Sequence, residues 1–178
     1  FKEYSFFFSK KEDGFISMIV PHLMSISFQP KEYIYKKGDN PTLIYFLAIG
    51  RVHFLTETSI IYKTYVTGSY FGEYEIIRNS RFRKHTICAD KNVETLTLLK
   101  LMYNKIIETE YPEIHHEMKT IAKLRKKRLK IDEELFNGKI TNKVSHLLKN
   151  PGLLEETMNV SEYGKEIVSS SSSSTKKR

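Results

Sequence analysis

The stretch "GSYFGEYEIIRNSRFRKHT", Gly68 to Thr86, concentrates residue types that chemistry can use. Two glycines bracket an aromatic pair, and the carboxylate Glu73 follows the second glycine at once. Arg78, Arg81, Arg83, Lys84 and His85 then form a dense basic run. A phosphate ester that also carries a sugar hydroxyl would need each of these parts. Glycine lets main-chain N–H groups come close to a phosphate. A short helix opening after Gly72, through "EYEII", aims further N–H groups at an anion. Arginine offers a planar fork that pairs with two phosphate oxygens, and a carboxylate accepts from a ribose hydroxyl. The same residues also describe a tight turn followed by a solvated cationic loop, and residue types alone do not separate the two readings.

Other chemistries find less support. His115 and His116 are adjacent, so on a helix they point about 100° apart, and with one cysteine no zinc-ligand spacing emerges. The hydrolase elbow G-x-S-x-G and the phosphate loop G-x-x-x-x-G-K-[ST] are both absent, and no carboxylate pair stands out as acid and base. The chain is therefore expected not to be an enzyme and to need no cofactor or metal. Its formal net charge of +8 over 178 residues fits an anionic ligand, although basic solvated surfaces are commoner than basic sites. Cys88 lies in the alternating "HTICAD" and is expected to be a thiol in a strand core. No apolar run reaches the roughly 18 residues of a membrane span. The opening "FKEYSFFFSKKED" has charges where a signal peptide needs an apolar core. Lacking an initiator methionine, the chain is expected to be a piece of a longer protein.

The elements that must position this stretch can be read from periodicity. Asp13 caps a short helix through Phe15, Met18, Ile19 and Val20, which Pro21 weakens or ends. Met24, Ile26 and Phe28 alternate with polar residues as in a half-buried strand. "KEYIY", "TLIYFLAIG", "RVHFL", "SIIYKTYV", "HTICAD" and "VETLTLLKL" supply further strands, with turns at Gly38-Asp39, Gly50 and Thr56–Ser59. Short strands at this spacing predict a sandwich or barrel. Helical patterns follow in "LMYNKIIETEYP" and, from Pro112, in a long segment expected to stop at Asn137-Gly138. "ITNKVSHLLKN" reads as a separate short helix. The organisation expected is a linker end at 1–12, a domain at 13–131, a helical extension at 132–168 and a flexible serine-rich tail at 169–178.

"GSYFGE" followed by an arginine about ten residues on resembles the phosphate-binding cassette of cyclic-nucleotide-binding domains. The resemblance runs from about Asp13 to Leu129. It includes "FQPKEYIYKKGDNPTLIYFLAIGRVHFL", "ICAD" and "YNKIIETEYPEI", and is nearest to the cytoplasmic domains of cyclic-nucleotide-gated and hyperpolarisation-activated cation channels. It implies a mainly β fold with flanking helices: an eight-stranded antiparallel β-roll, or jelly roll, with a short N-terminal helix, a cassette helix and at least two C-terminal helices. Carried over by position, Glu73 takes the ribose 2′-hydroxyl. Phe71, Gly72 and Tyr74 belong to the cassette, with Gly72 and the backbone after it approaching the phosphate. Arg83 pairs with the cyclic phosphate, and Phe54 and Tyr65 line the base pocket. The cassette is one residue longer than usual between Glu73 and Arg83. Lys84 and His85 stand where the family commonly has a small or hydroxyl residue and then alanine. Lys84 is a candidate extra phosphate contact, and the missing hydroxyl favours cyclic AMP over cyclic GMP.

The last helix holds one anomaly. Ile114, Met118, Ile121, Ala122 and Leu129 form an apolar stripe, and Arg125 falls about 20° from Met118, near its centre. A cation there must snorkel or find a partner. The resemblance implies that Arg125 lids the nucleotide and contacts its purine, with Arg128 on the flank. It further implies a regulatory module of a tetrameric channel on the cytoplasmic side of a membrane. Its partners would be a cyclic nucleotide and other subunits, with no nucleic acid and no membrane contact of its own. The alternatives are a related domain with weak or no ligand binding in a voltage-gated potassium channel, or a regulatory module of a kinase or transcription regulator.

Overall fold

The computed structural model describes residues 12–149. Expectations for the linker end, for 150–168 and for the tail fall outside them. Two compact units are present, Phe1–Glu133 and Glu134–Arg178. In the second, the described residues 134–149 are helical.

The first unit is a β-roll of two four-stranded antiparallel sheets. After helix α1 (Asp13–Ile19) and a single 3₁₀ turn come strands β1 (Leu23–Phe28), β2 (Tyr33–Tyr35), β3 (Leu43–Ile49), β4 (Arg51–Leu55), β5 (Ile61–Val66) and β6 (Tyr70–Phe71). Helix α2 (Glu73–Ile77) precedes β7 (Thr86–Ala89) and β8 (Val93–Leu99). One sheet runs β1-β8-β3-β6 and the other β2-β7-β4-β5. The short helix α3 (Lys100–Met102) then leads through a π-helical turn, Tyr103–Glu108, into α4 (Pro112–Lys149).

Strand β3 shows why its sequence is an almost unbroken apolar run. Its side chains alternate between faces, and both faces are covered. Ile44 and Phe46 join a cluster with Phe15, Tyr103, Ile107 and Met118 from the helices. Tyr45 and Leu47 face the second sheet and pack with Val52, Phe54, Phe71 and Ile87. The two residues of β6 divide the same way, Tyr70 toward the helices and Phe71 between the sheets. The buried hydroxyls of Thr95 and Thr97 donate to the carbonyls of Ile26 and Met24, each at 3.0 Å, so both hydroxyls are satisfied. Gly50 is required by sterics. Its φ is +100°, and a Cβ would lie 2.7 Å from the Asn92 carbonyl oxygen.

Two expectations change. Met24 is exposed rather than half-buried, on β1, which lies at the edge of its sheet beside β8. The stop expected at Asn137-Gly138 is absent: α4 passes through both, and "ITNKVSHLLK" continues it rather than forming its own helix. An isolated glycine costs a helix about 1 kcal/mol relative to alanine, less than the flanking helix-forming residues supply. Cys88 is buried in β7.

Candidate functional site

Chain reversal at Gly72 creates the site. Gly72 is left-handed, with φ 78°, and caps α2 directly after β6. The reversal places Glu73 and Glu75, in the first turn of α2, inside the unit, at 5% and 4% exposure. Ten residues on, the chain returns and inserts Arg83, which is 2% exposed. A buried guanidinium needs acceptors and a counter-charge. Arg83 Nη1 donates to the Gly72 carbonyl at 2.7 Å and Nη2 donates to the Leu43 carbonyl. Its counter-charge is Glu75, 3.5 Å away. The guanidinium carbon lies 4.3 Å from the Tyr35 ring centroid, a cation–π contact. Among the described residues, Arg83 Nε has no hydrogen-bond acceptor. Gly72 cannot be larger without moving this arginine, since a Cβ would sit 2.8 Å from Nη1.

Helix α4 closes the other side. Arg125 Nε lies 2.9 Å from Glu73 Oε1, an ion pair off the hydrogen-bond axis. Its Nη2 donates to the Tyr70 carbonyl. The guanidinium stacks 3.7 Å from the Tyr70 ring centroid and 5.6 Å from that of Tyr65. The cation in the apolar stripe is thus neutralised rather than snorkelling away. Lys126 Nζ donates to the Tyr74 hydroxyl at 3.1 Å, and Lys63 pairs with Asp132 at 2.7 Å, so Arg125, Lys126 and Asp132 of α4 each make polar contact with the roll.

Charge states follow from burial. Desolvation pushes the Glu73 carboxyl above its usual range, and Arg125 opposes the rise. Burial raises the Tyr35 hydroxyl well above its ordinary value, with Arg83 opposing, and pushes Tyr70 up to about 12. His85 is lowered by burial, which favours the neutral imidazole, and its Nδ1 lies 2.9 Å from the Tyr62 hydroxyl. The polar walls of the site are therefore one compensated carboxylate, a second carboxylate on Arg83, and neutral rings.

Most of the sequence-derived residues converge here. Phe54, Tyr65, Phe71, Gly72, Glu73, Tyr74 and Arg125 line one small cavity of about 20 Å³, room for about one water. Phe54 and Tyr65 meet edge to face at 4.7 Å. Arg83 lies behind this lining, against Gly72. Arg128 is exposed and lines a second cavity of about 510 Å³, which shares Tyr65, Arg125 and Leu129 with the first. Lys84 is not brought in. Its side chain is exposed, and only its main-chain N–H reaches inward, to Glu75 at 3.3 Å. Sequence reasoning missed Tyr35, Tyr70 and Glu75. The signal for Glu75 was indirect: a buried arginine must have a counter-charge close by.

Residues 25–110 match the family model of the cyclic nucleotide-binding domain. The chain is 27% identical to potassium/sodium hyperpolarization-activated cyclic nucleotide-gated channel 1 of Oryctolagus cuniculus and of Homo sapiens, over 80% of its own length and 17% of theirs. It is 28% identical to channel 2 of Homo sapiens over the same shares. The chain spans under a fifth of the length of these curated relatives. Among the described residues, no helix is long and apolar enough to cross a membrane.

Proposed function

We propose that this chain is a non-enzymatic sensor that binds a cyclic nucleotide, cyclic AMP in preference to cyclic GMP. On this reading it is the cytoplasmic regulatory part of a tetrameric cation channel, in which closure of α4 over the ligand shifts the gate. The observation that carries the binding reading is the convergence of Glu73, Arg83 and Arg125 from separate parts of the chain around one left-handed glycine. Glu73 would accept from the ribose 2′-hydroxyl, and Arg83, with its unpartnered Nε, would take the cyclic phosphate. Phe54, Tyr65 and Arg125 would hold the purine. The channel role is supported by the similarity to hyperpolarization-activated cyclic nucleotide-gated channels. A ligand moves a helix only as far as its affinities for the two states differ. The contacts of Arg125, Lys126 and Asp132 with the roll are those through which such a difference would act.

One observation favours a second reading. A cavity of about 20 Å³ is far smaller than the roughly 300–1,000 Å³ of small-molecule sites. It suits a domain that keeps the roll with a self-occupied pocket. Calorimetric titration of the 178-residue chain with each nucleotide separates the two readings. Saturable one-to-one heat is expected, with cyclic AMP the tighter ligand. No heat from either nucleotide at millimolar concentration would leave the self-occupied domain as the answer.

A further inference from the structure

We infer that Glu75 is a resident counter-anion for Arg83, a built-in competitor that the phosphate of a ligand must displace; this rests on the reading of the site as a cyclic nucleotide pocket. The two carboxylates of the first turn of α2 are both buried, yet they have different partners. Glu73 is held by Arg125 at 2.9 Å, and Glu75 stands 3.5 Å from Arg83 Nη1. A second contact fixes Glu75, the Lys84 main-chain N–H at 3.3 Å. Glu75 lines the small cavity, whereas Arg83 does not. An incoming anion therefore meets a carboxylate before it meets the arginine.

Physical chemistry sets the consequence. A carboxylate and a phosphodiester each carry one negative charge and compete for the same planar fork. With Glu75 in place, the buried pair is neutral, and a phosphate gains only the difference between two similar partners. Glu75 must also find new hydrogen bonds or accept an unpaired position, which is costly in a buried site. The residue thus lowers the value of the phosphate to binding and shifts discrimination toward the base and ribose. Neutralising Glu75 should restore a strong phosphate preference.

The test compares cyclic AMP with adenosine, which lacks the phosphate, on the wild-type chain and on Glu75→Gln, by calorimetry. Glutamine keeps the shape and removes the charge. The expected result is a cyclic AMP preference below ten-fold in the wild type that rises at least ten-fold in Glu75→Gln. An unchanged or smaller preference in the variant, with cyclic AMP still bound by the wild type, would overturn the role of Glu75 and leave the proposed function standing. Absence of cyclic AMP binding in both proteins would overturn both. Circular dichroism checks the fold. Should the variant not fold, the wild type alone decides, since a preference of ten-fold or more over adenosine contradicts an arginine already neutralised.

Discussion

Arg83→Ala is expected to weaken cyclic AMP binding more than any other single change. The loss has two sources. The phosphate loses its charge-assisted partner, and Glu75, 3.5 Å from the deleted guanidinium, is left as a bare carboxylate beside the ligand. Truncating one member of a buried hydrogen-bonded charge pair costs about 2–5 kcal/mol, which corresponds to roughly a 30-fold to several-thousand-fold weaker affinity. The stranded Glu75 should also lower the melting temperature. The double variant Arg83→Ala/Glu75→Ala removes that unpaired charge, so it should regain stability without regaining tight binding. An Arg83→Ala protein that binds cyclic AMP like the wild type would show that the cassette does not hold the phosphate.

Arg125→Ala has the second large effect, on binding and stability together. Its guanidinium stacks on Tyr70 and Tyr65 and neutralises Glu73. As a cation over a purine it would contribute about 0.5–2 kcal/mol, so cyclic AMP affinity should fall about two-fold to 30-fold. The ratio of cyclic AMP to cyclic GMP affinity should change as well, because the contact is to the base; Arg83→Ala should alter that ratio much less. Equal loss for both nucleotides, or none, would reject a lid role. The stability effect depends on pH. Burial already raises the Glu73 carboxyl, and Arg125 is the main charge opposing it. Without Arg125 the folded-state value rises further above the unfolded one, about 4.3. Below that pH Glu73 is protonated in both states and the variant loses little. As pH climbs through the raised folded value, ionising the buried group becomes a penalty. Urea denaturation should therefore show a deficit of about 1–3 kcal/mol near neutrality that shrinks toward pH 4. A deficit independent of pH would mean that Arg125 supports the fold by packing alone.

The roll was legible because its signals are local. "TLIYFLAIG" reads as a strand from composition, and its double-sided burial accounts for the missing alternation. Glycine punctuation placed the reversals at Gly50 and Gly72, where φ is +100° and +78°. Glu73, Arg83 and Arg125 were legible from the cassette wording and from one misfit on a helical wheel. The length of α4 was not, since Gly138 is a weak local stop that its neighbours override. Nor was Glu75. Two residues apart on a helix, Glu73 and Glu75 point about 200° apart, so spacing alone would send one of them to solvent. Both are buried because α2 is a single short turn covered on one side by α4 and on the other by the returning Arg83 segment. That return, like the stacking of Arg83 on Tyr35, is a tertiary contact with no trace in local pattern.

On the proposed function, Glu73 and Arg83 receive a cyclic nucleotide beneath α4. A crystal structure of the chain with saturating cyclic AMP tests it most directly. The expected result shows one nucleotide, its phosphate within hydrogen-bond distance of the Arg83 guanidinium and its ribose 2′-hydroxyl on Glu73. Arg83 would have exchanged Glu75 for the phosphate, and Arg125 would rest on the purine. A nucleotide bound elsewhere, or a site in which Arg83 still holds Glu75 and Glu73 still holds Arg125, would contradict it.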